Sequence, residues 1–228
     1  SVPTRTAQTL LTDDAPDFTE LVEDCEPLVS KNWNRQCRSS DKFSNPWKIL
    51  LQNFQTLEKS IVILSGTLPA HAPQEIYAEL IHAASVPVLL DTSGAPLLAA
   101  LEARPALVKI NASELLLTTK QNTIEEAARE LIAQGAGAVG ITDGSSPARL
   151  FTPEGTHSFS IPDVAVKSTL GCGDAVNAGI AFALQKGSAL PEAFIFGLAC
   201  GAANAQTALP GVIDPEQIAT LVPQIKVS

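Results

Sequence analysis

From Ile61 onward the chain alternates short apolar runs with longer mixed stretches. Ile61–Leu64, Val86–Leu90, Ala106–Ile110 and Ala138–Thr142 are brief and almost continuously apolar. A strand covered on both faces reads this way, and parallel sheets are built of such strands. Between them, Pro73–Ala84 and Ala95–Ala103 read as helices, the first of them amphipathic. Thr123-Ile124-Glu125-Glu126 is a capping box that opens a helix to about Gln134, with Gly135 placed to end it. Thr152–Gly155 is a turn between two antiparallel strands, Ala148–Phe151 and His157–Ile161. The last part is helical: Asp174 to about Gln185, Pro191 to about Gln206, and Pro215–Leu221 capped by Asp214.

Strands alternating with helices predict an α/β domain around a largely parallel sheet. Ligands of such sheets bind beyond the carboxyl ends of the strands. Ser65, Asp91, Asn111, Thr142 and Asp143 stand at those ends. Residues 1–60 break the rhythm. Thr4–Leu11 alternates as a strand does, whereas residues 29–48 are polar and irregular and read as a surface excursion.

One stretch carries chemistry. Ser168-Thr169-Leu170-Gly171-Cys172-Gly173-Asp174 runs directly into the helix-forming Ala175–Phe182. A helix N-terminus offers unpaired N–H groups and a partial positive charge. Glycines let the chain turn tightly and let a phosphate approach those groups. An aspartate held at the same end is placed to take a proton from an incoming hydroxyl. Anion hole plus carboxylate is what phosphoryl transfer to an alcohol requires. The plainer alternative is a glycine turn followed by an Asp174 N-cap.

Composition narrows the setting. The chain has 228 residues, 45% of them hydrophobic, enough for a substantial core. Its net charge is −9, and its 15 Lys and Arg form no basic run, so a nucleic-acid surface is not expected. No apolar run reaches the length of a membrane span. Ser1-Val2-Pro3-Thr4-Arg5 does not read as a signal peptide. The four cysteines, Cys25, Cys37, Cys172 and Cys200, are too scattered for a zinc site or a disulfide frame, so a reducing cytoplasm is the economical setting. A helix N-terminus lowers a thiol pKa, yet any small residue fits at Cys172.

These residues resemble the ribokinase-type (PfkB) carbohydrate kinase family. Thr169-Leu170-Gly171-Cys172-Gly173-Asp174-Ala175 is similar to the family's C-terminal signature, in which the small residue is usually alanine. Ser65-Gly66-Thr67-Leu68-Pro69, Asp91-Thr92-Ser93-Gly94, Lys109–Glu114 with its Asn-x-x-Glu element, and Thr142–Pro147 resemble four further segments in family order. The start at Thr4-Arg5 and the Ser65–Pro69 loop look most like the 1-phosphofructokinase and tagatose-6-phosphate kinase branch. The resemblance implies a ribokinase-like three-layer α/β sandwich with a mostly parallel central sheet. It implies one domain over residues 1–228, with residues 1–60 atypical and 61–228 the nucleotide-binding and catalytic portion.

It also implies roles. Asp174 would be the general base, and the amides around Gly171, Cys172 and Gly173 would hold charge on the transferred phosphoryl group. Asn111 and Glu114 would organise Mg²⁺ and the phosphates of ATP, Glu114 as the metal-side carboxylate, because Mg²⁺ keeps its waters and takes few carboxylates. Thr142 and Gly144 would line the ATP site, with Asn204 near the base. Arg5 would face a substrate phosphate. The acceptor would be a sugar or sugar phosphate, and a homodimer is an admitted assembly. The plainer alternatives are a helix-capping pair for Asn111 and Glu114, a surface amide for Asn204 and a solvated strand residue for Arg5.

The sequence also departs from the family. The family's N-terminal βα portion, with its Gly-Gly-x-x-x-Asn element, has no match, so the expectation is an N-terminally incomplete fold. Pro147 stands where the nucleotide loop usually has a glycine, and it lacks an N–H. Ser168 and Leu170 supply no carboxylate for a monovalent cation. Residues 29–48 are unlike the family helix expected there. A non-catalytic nucleotide-binding or interaction protein is therefore the competing reading. A dinucleotide oxidoreductase fits poorly, because its glycine motif belongs after the first strand.

Overall fold

The structure is a computed structural model that describes residues 60–68 and 72–228 in full and the backbone of residues 5–10 and 19–24. The irregular segment 29–48 and the side chain of Arg5 lie outside the described residues. The strands are β1 (Arg5–Leu10), β2 (Thr19–Asp24), β3 (Val62–Gly66), β4 (Val88–Asp91), β5 (Leu107–Asn111), β6 (Val139–Asp143), β7 (Ser146–Phe151) and β8 (Thr156–Phe159). They form one sheet in the order β2-β1-β3-β4-β5-β6-β7-β8. Its centre, β3 to β6, is parallel, and an antiparallel pair extends each flank.

The helices are α1 (Ile76–Ala83), α2 (Gly94–Ala100), α3 (Ala112–Thr119), α4 (Ile124–Gln134), α5 (Cys172–Gln185), α6 (Leu190–Ala205) and α7 (Pro215–Leu221). Successive strand residues point to opposite faces, and the core divides accordingly. Val62, Leu64, Val88, Leu90, Val108 and Ile110 pack under α1 to α4, with Tyr77, Leu97, Leu115 and Leu131. Ile61, Ile63, Leu89, Leu107 and Ala138 pack under α5 to α7, with Val176, Ile180, Phe194 and Leu221. The result is the expected three-layer sandwich.

Several boundaries differ from expectation in one direction. Each central strand ends one or two residues later than its apolar run, at Gly66, Asp91, Asn111 and Asp143. The backbone ladder continues where the side chains turn polar, pairing Ser65 with Asp91 and Asn111 with Thr142. Helix α3 was foreshadowed only by the plainer alternative for Asn111 and Glu114, a helix-capping pair. It is a short helix capped by Asn111, whose side chain accepts from the Glu114 N–H. The run Ala95–Ala103 divides into α2 and a 3₁₀ turn, Leu101–Ala103, closed by Arg104 at φ 57°. Strand β2 was not anticipated. Pro147 sits within β7, opposite the register irregularity between Ile141 and Asp143, a place where a missing N–H is tolerated.

Helices α5 and α6 meet with their backbones nearly in contact. A Cβ on Gly197 would come within 2.6 Å of both Val176 O and Ile180 Cγ1. A Cβ on Gly179 would come within 2.8 Å of Gly197 Cα. Because backbone cannot yield as a flexible side chain does, Gly197→Ala should cost about 1–3 kcal/mol. Thermal and urea unfolding of the variant should show the loss as a lowered midpoint.

Candidate active site

The α5-facing rows of the central strands all end in polar residues. The β3 row passes from Ile61 and Ile63 to Ser65, and the β4 row from Leu89 to Asp91. The β5 row passes from Leu107 to Lys109 and Asn111, and the β6 row from Ala138 through Gly140 to Thr142. The N-terminus of α5 lies beside these ends. A cavity of ≈ 530 Å³ at the start of β5 and β6, lined by Arg104, Ala106, Gly135 and Gly137 among others, gathers none of them.

The glycine turn opens α5. Gly171 is the N-cap, in the left-handed region at φ 74°, and the helix begins at Cys172. The alternative of an Asp174 N-cap is thereby corrected, since Asp174 lies within the first turn. There it is solvent-exposed, and Ser65 Oγ donates to its Oδ1 over a long 3.5 Å. A Cβ at Gly171 would come within 2.8 Å of Pro210 Cβ. The Cys172 N–H is engaged, donating to Thr169 O at 3.3 Å. The amides of Gly171 and Gly173, at the N-terminal end of α5, are the better placed to receive an anion.

Asn204 is an interior residue, 1% exposed, not a surface amide. Its Nδ2 donates to Leu170 O at 2.9 Å and to Cys172 Sγ at 3.3 Å, and its Oδ1 accepts from the Gly211 N–H at 2.8 Å. One amide thus ties the glycine turn to the end of α6 and to the segment that follows. The N–H groups of Lys167 and Ser168 add two bonds to Ala205 O. Leu170, Leu209 and Val212 stay exposed around this knot. Isolated in the sequence, they gave no periodic signal.

A buried polar cluster beneath the turn escaped the sequence reading. Lys109 is 5% exposed and pairs with Asp91 Oδ2 at 3.0 Å. Asn177 Nδ2 donates to the same oxygen at 2.5 Å. A Cβ at Gly173 would come within 2.8 Å of Lys109 Nζ. The available signal was the lysine inside an otherwise apolar strand, which buries a charge and therefore needs a partner. Nearby, Tyr77 and Thr92 both donate to Gly66 O at 2.9 Å. Burial chiefly, with the Asp91 charge adding to it, pushes the Tyr77 phenol up to about 12 against the opposing effect of its bond with Thr92. Burial pushes the Cys200 thiol up to about 11.

The remaining positions divide. Asn111 Oδ1 accepts from Glu114 N at 2.8 Å and from Ser113 Oγ at 2.7 Å, so the pair is a helix cap. Glu114 is half-buried at the start of α3. No group of three or more His, Cys, Asp or Glu among the described residues is arranged to hold a metal. The donors present fit Mg²⁺ only as an ion carried largely by water and nucleotide phosphates, with Glu114 as one carboxylate. Thr142 is the register partner of Asn111, and Gly144 sits at φ 58° in the exposed β6–β7 turn. No helix among the described residues is long and apolar enough to cross a membrane.

Comparison with known proteins bears on the family and the fold. The profile of the pfkB family carbohydrate kinases matches residues 35–217. The chain is 34% identical to 1-phosphofructokinase of Bacillus subtilis over 191 residues, covering 80% of this chain and 62% of that one. It thus spans about three fifths of that relative's length. Among solved structures, phosphofructokinase-2 of Escherichia coli in complex with potassium superposes with a TM-score of 0.71 at 26% identity, covering 78% of this chain and 61% of the other. Ribokinase of Thermotoga maritima, at 16% identity and a TM-score of 0.66, covers 94% of this chain and 68% of its own, and shows the shared fold.

Asn204→Ala should leave Leu170 O and Gly211 N without their partner. Both groups belong to exposed residues that water can reach, so the lost bonds should cost about 0.5–1.5 kcal/mol each. Thermal unfolding should show that loss as a lowered midpoint.

Proposed function

The chain belongs to the pfkB family of carbohydrate kinases, and from that membership we propose that it transfers the terminal phosphoryl group of ATP to a hydroxyl of a sugar phosphate. The observation that carries the reading is Asp174 in the first turn of a glycine-capped helix at the carboxyl ends of a parallel sheet. Asp174 takes the proton of the acceptor hydroxyl. The Gly171 and Gly173 amides, with the positive end of α5, face the negative charge gathering on the transferred group. The turn at Thr142–Pro147 and the exposed Leu170, Leu209 and Val212 line the nucleotide. Glu114 and Asn111 would hold Mg²⁺ through water, and the ion would supply charge neutralisation of the phosphates. Arg5 is assigned to the acceptor's phosphate. The acceptor class follows the name of the Bacillus relative and is a fructose phosphate. The cytoplasm is the proposed setting.

A second reading is nucleotide binding without turnover, in which the glycine-capped N-terminus of α5 holds phosphate and no acceptor is phosphorylated. The two separate on one variant. Asp174→Asn keeps the shape of the turn and removes the base, so turnover should fall by about 10²- to 10⁴-fold while ADP binding persists. Coupled ADP-release assays with fructose 1-phosphate, fructose 6-phosphate and tagatose 6-phosphate make the measurement. Equal turnover in parent and variant would place the base elsewhere. Nucleotide binding with no turnover for any acceptor would favour the second reading.

A further inference from the structure

Among the buried positions of α5, Asn177 stands alone as a polar residue among Ala175, Val176, Gly179, Ile180, Ala181 and Ala183. It is 1% exposed, and its Oδ1 has no hydrogen-bond partner among the described residues. A reversed amide would set that oxygen against the Asp91 carboxylate, so the observed orientation is the favourable one. An apolar side chain of the same size would avoid the orphaned acceptor. What the amide supplies in return is its bond to Asp91 Oδ2, the oxygen that also receives Lys109 Nζ.

The chain of contacts leads to the glycine turn. Asn177 fixes the carboxylate, the carboxylate fixes the ammonium, and the ammonium occupies the space where a Cβ of Gly173 would stand. We propose that Asn177 and Asp91 are positioning residues that hold the Lys109 cation beneath Gly173, where it reinforces the anion-attracting end of α5. The inference deepens the phosphoryl-transfer reading and rests on it for its catalytic consequence. It also accounts for the second glycine of the motif: the first permits the left-handed turn, and the second leaves room for the lysine head.

Among the described residues, the titratable groups facing the cluster are few. Asp174 lies one turn up on α5 and is exposed. Tyr77, from α1, and Cys200, from α6, keep their protons to about 12 and about 11 and stay neutral near pH 7.

The test uses two substitutions in the protein, Asn177→Asp and Asn177→Leu, from about pH 6 to about pH 9. Two readouts are taken relative to the parent at the same pH. One is kcat and KM for the sugar phosphate. The other is the rate at which a thiol reagent modifies Cys172, with Cys25 and Cys37 changed to serine and Cys200 buried. At the alkaline end the introduced carboxylate lies against Asp91 and repels it. At the acidic end it takes a proton and donates to Asp91 as the amide does. Asn177→Asp should therefore lose about 10- to 100-fold in kcat at alkaline pH, with KM little changed and Cys172 more reactive, and should recover at acidic pH. Asn177→Leu should show the loss throughout. A packing role predicts no recovery on acidification. Recovery in either readout supports the proposal, and its absence in both overturns it. If Asn177→Leu does not fold, the pH response of Asn177→Asp decides. If the parent and Asp174→Asn are equally without turnover, the phosphoryl-transfer reading fails, and the thiol rates alone decide whether Asn177 positions the turn.

Discussion

A strand covered on both faces has room for a polar side chain only near its ends, where water or another polar group can reach it. Four neighbouring parallel strands meet this constraint at the same edge of the sheet, and the period of two places their polar residues on the face covered by α5. Ser65, Asp91, Lys109, Asn111 and Thr142 gather there as a consequence of strand geometry. The helix that covers the row then brings its own N-terminus, with its unpaired donors, to the same edge. The site is the place where a sheet that excludes water meets a helix end that requires a polar partner.

Lys109 is the sharpest case. Its ammonium is buried, and Asp91 offsets a cost that the helix end would otherwise increase, since both the ammonium and the N-terminal dipole are positive. Removing one partner from a buried pair typically costs about 3–5 kcal/mol. The carboxylate is therefore needed for the fold as well as for the site. Two buried side chains thus share one oxygen of Asp91, which accepts from both Lys109 and Asn177.

The apolar runs announced the four central strands, and the capping box announced α4. Their ends were harder to see, because hydropathy reports side chains while the ladder is made by backbone. Helix α3 is too short for a periodic signal, and its existence hangs on the Asn111 cap, which the sequence presented equally as a ligand pair. The glycine motif marked the turn that caps α5. Asn204 and Asn177 were opaque for a common reason: whether an amide is internal depends on which helix face meets which neighbour. Lys109 was visible as an anomaly, but its partner comes from β4, and only the pairing of β4 with β5 brings the two together.

The close approach of Lys109 Nζ to Gly173 links two positions far apart in sequence. A larger residue at 173 is acceptable only after the lysine has become shorter or moved. A shorter residue at 109 strands Asp91 and opens a void below the turn. The two positions are therefore coupled, and a change at one alters which residues fit at the other. Their covariation in a library of variants would therefore trace a wall contact, even where no variant binds a ligand.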